Sequence, residues 1–190
     1  MKQNMMRLVL LCGLLLGWNA SALNLGGIHL VDKVQLGEAS LHLNGAGVRT
    51  KWFFKIYVAA LYLPQKQASA EAVIDDEREH RVAMYMLREL SGEKLFSAFN
   101  EAIKANHPQD VLSAMDVQMK EMAQIFESVD KVKEGDIINI DYLPAAGTRI
   151  TVNGTERGTI SGAAFNRAIL KIWLGKNPVQ EDMKKGMLGG

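Results

Sequence analysis

The chain has 190 residues, with 22 lysines and arginines against 21 aspartates and glutamates, and 48% of it is hydrophobic. That length suits one domain with a sizeable core, and a charged fraction of 23% excludes wholesale disorder. A net charge of +1 argues against a nucleic-acid coat, and scattered histidines with one cysteine, Cys12, assemble no zinc or iron–sulfur spacing. No metal, no cofactor and no nucleic-acid partner is expected.

Lys2 and Arg7 precede an apolar run from Leu8 to Leu16, followed by Trp18-Asn19-Ala20-Ser21-Ala22. A basic start, a short apolar stretch and Ala-x-Ala are the marks of a secretory signal peptide. The run falls short of the roughly 20 apolar residues a membrane-spanning helix needs. Residues 1–22 are therefore expected to be a signal peptide cut after Ala22, leaving 23–190 as one exported domain. Its net charge becomes −1, because Lys2 and Arg7 leave and no acid does. A periplasmic or secreted protein is expected, with no disulfide and no stable membrane anchor.

Leu41 and Leu43 alternate with polar neighbours, and Asn44-Gly45-Ala46-Gly47 punctuates the chain. A long β-rich stretch then runs from Val48 to the stop at Pro64. Its even positions, from Thr50 and Trp52 to Ala60 and Tyr62, form a nearly continuous apolar face, while the odd ones are mixed. Arg81 to Leu87 reads as another strand, with Val82, Met84 and Met86 on one face. Ser91 can cap a helix carrying Leu95, Phe99, Ala102 and Ile103. After Pro108, Asp110 can cap a second helix with Val111, Met115, Met119, Met122 and Phe126. That methionine stripe suits core filling, or the soft wall of a cavity.

Strands return at Ile137–Leu143, and Asn153-Gly154 is a hairpin signal between Arg149–Val152 and Glu156–Ile160. Ser161 can cap a helix bearing Phe165, Ile169, Ile172 and Trp173, stopped by Gly175. Asn177-Pro178 then opens a last short helix. Strands, helices, then strands again indicate an α+β domain, an antiparallel sheet with helices on one face.

Two stretches are distinctive together. Gly45-Ala46-Gly47-Val48-Arg49 is followed by Lys55-Ile56-Tyr57-Val58-Ala59-Ala60-Leu61-Tyr62-Leu63. Further on, Phe165 to Leu170 leads into Ile172-Trp173-Leu174-Gly175-Lys176-Asn177-Pro178-Val179. In this order the chain resembles the chalcone isomerase fold family, in particular its bacterial, exported chalcone isomerase-like branch. The resemblance runs from about Leu36 to Leu188. It implies an open-faced sandwich, a curved antiparallel sheet covered by a layer of helices with a cleft between.

It also implies two trades, cyclisation of chalcones in plant enzymes and fatty-acid binding without known catalysis in related members. By the resemblance, Arg49 stands where the family places its guanidinium, which suits an oxyanion or a carboxylate. Tyr57 takes the place of a threonine of the plant enzymes. Leu95 or Phe96, a residue between Asn100 and Ala102, and Ile172 beside Trp173 replace polar groups that position the plant substrate. That pattern disfavours flavanone chemistry and assigns no catalytic residue. It implies that Arg49 and Tyr57 clamp a small amphipathic carboxylate such as a fatty acid. Leu95, Phe99, Ile169, Ile172 and Trp173 are then the candidates for the pocket lining.

Two other functions stay open on the residues alone, an isomerase or intramolecular lyase on another substrate, and an interaction module whose cleft is solid core. Arg49, Lys51 and Lys55 equally suit surface charges on a half-solvated strand. On one straight strand Arg49 and Tyr57 would also stand about 26 Å apart. A shared site requires a bend, bulge or hairpin between them, and no glycine or proline marks one.

Overall fold

The computed structural model describes residues 23–190; the expected signal peptide lies outside the described residues. The chain opens with short strands β1 (Leu23–Leu25), β2 (Ile28–Leu30) and β3 (Lys33–Leu36). Two long strands follow, β4 (Ala39–Lys51) and β5 (Phe54–Leu63), then helix α1 (Ala70–Ile74), β6 (His80–Met86) and β7 (Leu90–Ser91). The helical middle is α2 (Gly92–Asn106), α3 (Gln109–Ala114) and α4 (Asp116–Glu127). After β8 (Lys131–Val132) come β9 (Ile137–Leu143), β10 (Gly147–Val152) and β11 (Thr155–Ile160), then α5 (Ala163–Leu174) and α6 (Glu181–Met187).

Seven strands form one curled antiparallel sheet in the order β11-β10-β9-β6-β5-β4-β3. Its two faces bury different cores. Tyr57, Ala59, Leu61 and Leu63 of β5 join Val82, Met84 and Met86 of β6 in the larger core, against Ile103, Ile125, Phe165, Ile169 and Met183 of the helices. Val58, Ala60 and Tyr62 face the other way, into a smaller core with Leu30, Leu36 and Leu41. Both faces of β5 are thus covered, which is why its sequence lacks clean alternation.

The stretch from Val48 to Leu63 is two strands rather than one. β4 and β5 pair from His42–Leu63 out to Lys51–Phe54, leaving Trp52 and Phe53 as a two-residue loop. Trp52 has φ +60°. Glycine is the usual occupant of that position, so residue types did not announce the turn.

Asn44-Gly45-Ala46-Gly47 lies inside β4 and does not break it. The glycines serve close packing instead: a Cβ on Gly47 would stand 2.6 Å from Met183 Cα of α6, and one on Gly45 would strike the Gly186 carbonyl. Asn44 itself is a bulge, since Leu43 pairs with Tyr62 and Gly45 with Leu61. Its amide donates to the carbonyls of Gln67 (2.9 Å) and Met187 (2.8 Å), while its oxygen accepts from the Gln67 N–H (2.7 Å).

Three helix boundaries differ from the sequence reading. Pro108, not Asp110, precedes α3, and the chain breaks at Met115 before α4. The break lets Met115 and Met122 both reach the core, while Val111 and Val117 stay exposed. Gly162, at φ +104°, precedes α5 in place of Ser161. Asn177-Pro178 opens no helix; Asn177 is stitched to Asn106 and the Ala105 carbonyl at the end of α2, and α6 begins at Glu181. The Asn153-Gly154 hairpin forms as expected, with Val152 opposite Thr155.

Candidate ligand-binding site

The bulge at Asn44 decides what reaches the space between sheet and helices. Leu41 and Leu43 point into the smaller core, yet after the extra residue Gly45, Gly47 and Arg49 stand opposite Leu61, Ala59 and Tyr57, on the helix side. One residue changes the parity of the strand and carries Arg49 to the other face. Arg49 and Tyr57 are direct cross-strand partners. Such partners have Cβ atoms about 5 Å apart, so the hairpin supplies the bend that a shared site requires.

They meet at the wall of a cavity of about 630 Å³. The sheet contributes Ile56, Met84, Ile138, Ile140 and Ile150 beside Arg49 and Tyr57. Helix α2 adds Leu95, Phe99 and Ala102; α4 adds Met122 and Phe126; α5 adds Ile169, Ile172 and Trp173. All seven residues singled out from the sequence therefore border one space. The Phe126 ring packs against those of Phe96 and Phe99, each pair with centroids 5.7 Å apart, and so ties α4 to α2. Lys51, Lys94, Glu101 and Asn177 bring polar groups to the lining.

Two residues that the sequence did not single out for polar roles set the geometry of the pair. Gln180, the residue before α6, accepts from Arg49 Nη1 (3.3 Å) and from the Thr50 N–H (2.9 Å), and donates to the Val48 carbonyl (3.2 Å). Arg49 Nη1 also donates to the Thr50 carbonyl (3.1 Å). The guanidinium is thus held from one end, and among the described residues no carboxylate lies within 4.0 Å of it. Gln180 is 131 positions from Arg49, and no local pattern links the two. Trp173 was expected only as apolar lining, but its Nε1 donates to the Tyr57 hydroxyl at 3.1 Å.

Burial pushes the Tyr57 phenol above the ordinary tyrosine range, while the Trp173 bond and the nearby Arg49 charge pull it partly back. At neutral pH the phenol keeps its proton. The site therefore offers a fixed cation and a neutral donor at one wall, and aliphatic or aromatic carbon over most of the rest. That arrangement can hold an anionic head and cover an apolar body.

The sequence matches the chalcone isomerase-like family over residues 22–189. The fold is similar to the crystal structure of a fatty-acid binding protein of Arabidopsis thaliana, with a TM-score of 0.65 over 85% of this chain and 92% of that one. The two are 14% identical, so the likeness is one of fold. No curated protein matches the sequence. With the family's pattern running from the first described strand through α6, the chain belongs to the chalcone isomerase-like family.

Proposed function

We propose that this protein is a non-catalytic carrier of a small amphipathic carboxylate, a fatty acid, held between sheet and helices. The observation that carries the reading is the direct pairing of Arg49 with Tyr57 on the wall of an apolar cavity. A guanidinium binds a carboxylate through charge-assisted hydrogen bonds, and the Tyr57 proton adds a second contact. The fatty-acid binding relative by fold supports the same ligand class.

Magnitudes are adequate. The cavity falls within the range of roughly 300–1,000 Å³ common for small-molecule sites. Each buried methylene contributes about 0.8 kcal/mol before ordering costs, so ten of them with one clamp reach roughly micromolar affinity. A phenol that keeps its proton is a donor and not a base, which favours holding over proton abstraction.

The test is to extract the purified protein with organic solvent, identify what is released by mass spectrometry, and titrate the emptied protein with a fluorescent fatty acid. Arg49→Ala should weaken binding by about tenfold to a hundredfold, and Arg49→Lys by less. A cavity that releases no acyl chain and takes up no probe ends the reading. Export belongs to the same proposal: N-terminal sequencing of the periplasmic or secreted protein should begin at Leu23.

A further inference from the structure

The hairpin that joins Arg49 to Tyr57 ends in a surface that ligand binding leaves unexplained. Trp52, Phe53 and Phe54, at the tip of β4 and β5, are 81%, 93% and 53% exposed. Three consecutive aromatic rings facing water are unfavourable for a protein alone in solution. The turn does not require them either. Trp52 sits at φ +60°, where a bulky residue is strained and glycine is at ease.

The rings are surrounded by cations. Lys51 and Lys55 flank them in the chain, and the Arg88 guanidinium carbon lies 4.0 Å from the Phe54 ring centroid. Among the described residues, none of these three cations has a carboxylate within 4.0 Å. Glu89, next to Arg88, is paired with Lys131 at 3.4 Å.

We propose that this tip docks reversibly on a bilayer containing anionic phospholipid. The rings enter the headgroup region while Lys51, Lys55 and Arg88 meet the phosphates. Aromatic side chains favour that boundary, and each nearby cation strengthens attraction to an anionic surface. A protein partner fits the shape less well. A projecting two-residue loop offers no groove, and a stable protein interface needs about 1,000 Å² or more. Lys51 also borders the cavity, so docking sets the edge of the cavity against the membrane. That placement deepens the fatty-acid reading by giving the ligand a source, although docking itself does not depend on the ligand.

The experiment uses the protein recovered after expression of the full chain, carrying Trp18→Phe. Its remaining tryptophans are then Trp52 and Trp173, and Trp173 is 3% exposed. Vesicles of equal parts phosphatidylcholine and phosphatidylglycerol, brominated on the acyl chains, should quench Trp52 and shift its emission to the blue. Pure phosphatidylcholine should bind distinctly less. Lys55→Glu with Arg88→Glu should weaken co-sedimentation by about tenfold or more, at roughly fivefold per cation lost. Phe53→Ser should reduce vesicle binding while leaving fatty-acid uptake in solution intact, which also shows that the variant is folded.

Unquenched Trp52 at saturating lipid overturns the proposal. So does equal binding to the two vesicle types, or a tip whose only effect is self-association removed by Phe53→Ser. Arg49→Ala keeps the two readings apart, since it should lose the fatty acid and still dock.

Discussion

Trp173 Nε1 lies 3.1 Å from the Tyr57 hydroxyl oxygen, joining the last turn of α5 to strand β5. An indole N–H only donates, so the phenol oxygen accepts and its own hydrogen is left to turn toward the cavity. Tyr57→Phe should therefore do two separable things. It strands a buried N–H, at about 1–3 kcal/mol of stability, and it weakens carboxylate binding by roughly fivefold. Trp173→Phe removes the donor as well, so the double variant should be less destabilised than the sum of the singles. Urea unfolding of the four proteins measures that coupling, and an additive result would mean the bond carries no energy.

A second prediction concerns acid. His80 is 2% exposed, stacked on Tyr142 with ring centroids 5.2 Å apart. Its Nδ1 lies 3.0 Å from the Arg78 carbonyl oxygen and its Nε2 3.2 Å from Asn166 Oδ1. Burial holds the ring below its ordinary pKa, with the Arg78 and Asn166 contacts and the charges of Asp76 and Asp141 opposing. Both partners are oxygens, so a neutral ring, with its single N–H, donates to the Arg78 carbonyl or to Asn166 Oδ1 but not to both.

The unfolded chain thus takes up a proton here before the folded one does. Stability should fall as pH drops from about 6.5 toward the lower folded value, and be fully present above that range. His80→Gln should flatten this slope below about pH 6.5, read from urea midpoints. An unchanged slope would exclude His80 as its source.

Legibility in the sequence followed the range of each interaction. The Asn153-Gly154 hairpin and the apolar face of α5 are set by neighbours a few residues apart, and both stood out. The Trp52-Phe53 turn was invisible because an aromatic occupies a position where glycine is the usual signal. The role of Gly45 and Gly47 depends on α6, more than a hundred residues on, so they read as a break when they are sites of close contact. Arg49 and Tyr57 were singled out through family resemblance, yet their adjacency rests on that hidden turn. Gln180 had no signal at all, since its partners are the backbone of β4 and the Arg49 side chain.

Gly47→Ala tests whether α6 positions the cation. The added Cβ would stand 2.6 Å from Met183 Cα, a backbone atom that moves only if the helix moves. Displacing α6 draws Gln180 away from Arg49, because Gln180 immediately precedes the helix. The variant should lose about 1–3 kcal/mol of stability and bind fatty acid more weakly, although Gly47 does not border the cavity. Unfolding and probe titration on one sample check both effects. Full affinity despite lowered stability would show that Arg49 does not depend on α6.

The parity change at Asn44 gives the most demanding prediction. Asn44→Ala keeps the extra residue but removes three side-chain bonds to Gln67 and Met187, which should cost about 2–3 kcal/mol and leave a folded protein. Deleting Asn44 is different in kind. Leu41 and Leu43 belong to one core, whereas Gly45, Gly47 and Arg49 belong to the opposite face, and without the bulge one strand cannot satisfy both. If the leucines keep their places, Arg49 turns into the smaller core and the cavity loses its cation. If Arg49 keeps its place, the leucines are forced against the helices. The deletion should therefore abolish fatty-acid uptake and cut stability well beyond the alanine variant, as measured by probe titration and urea unfolding. A deletion protein with the affinity of the original chain would show that something other than this bulge fixes the face on which Arg49 stands.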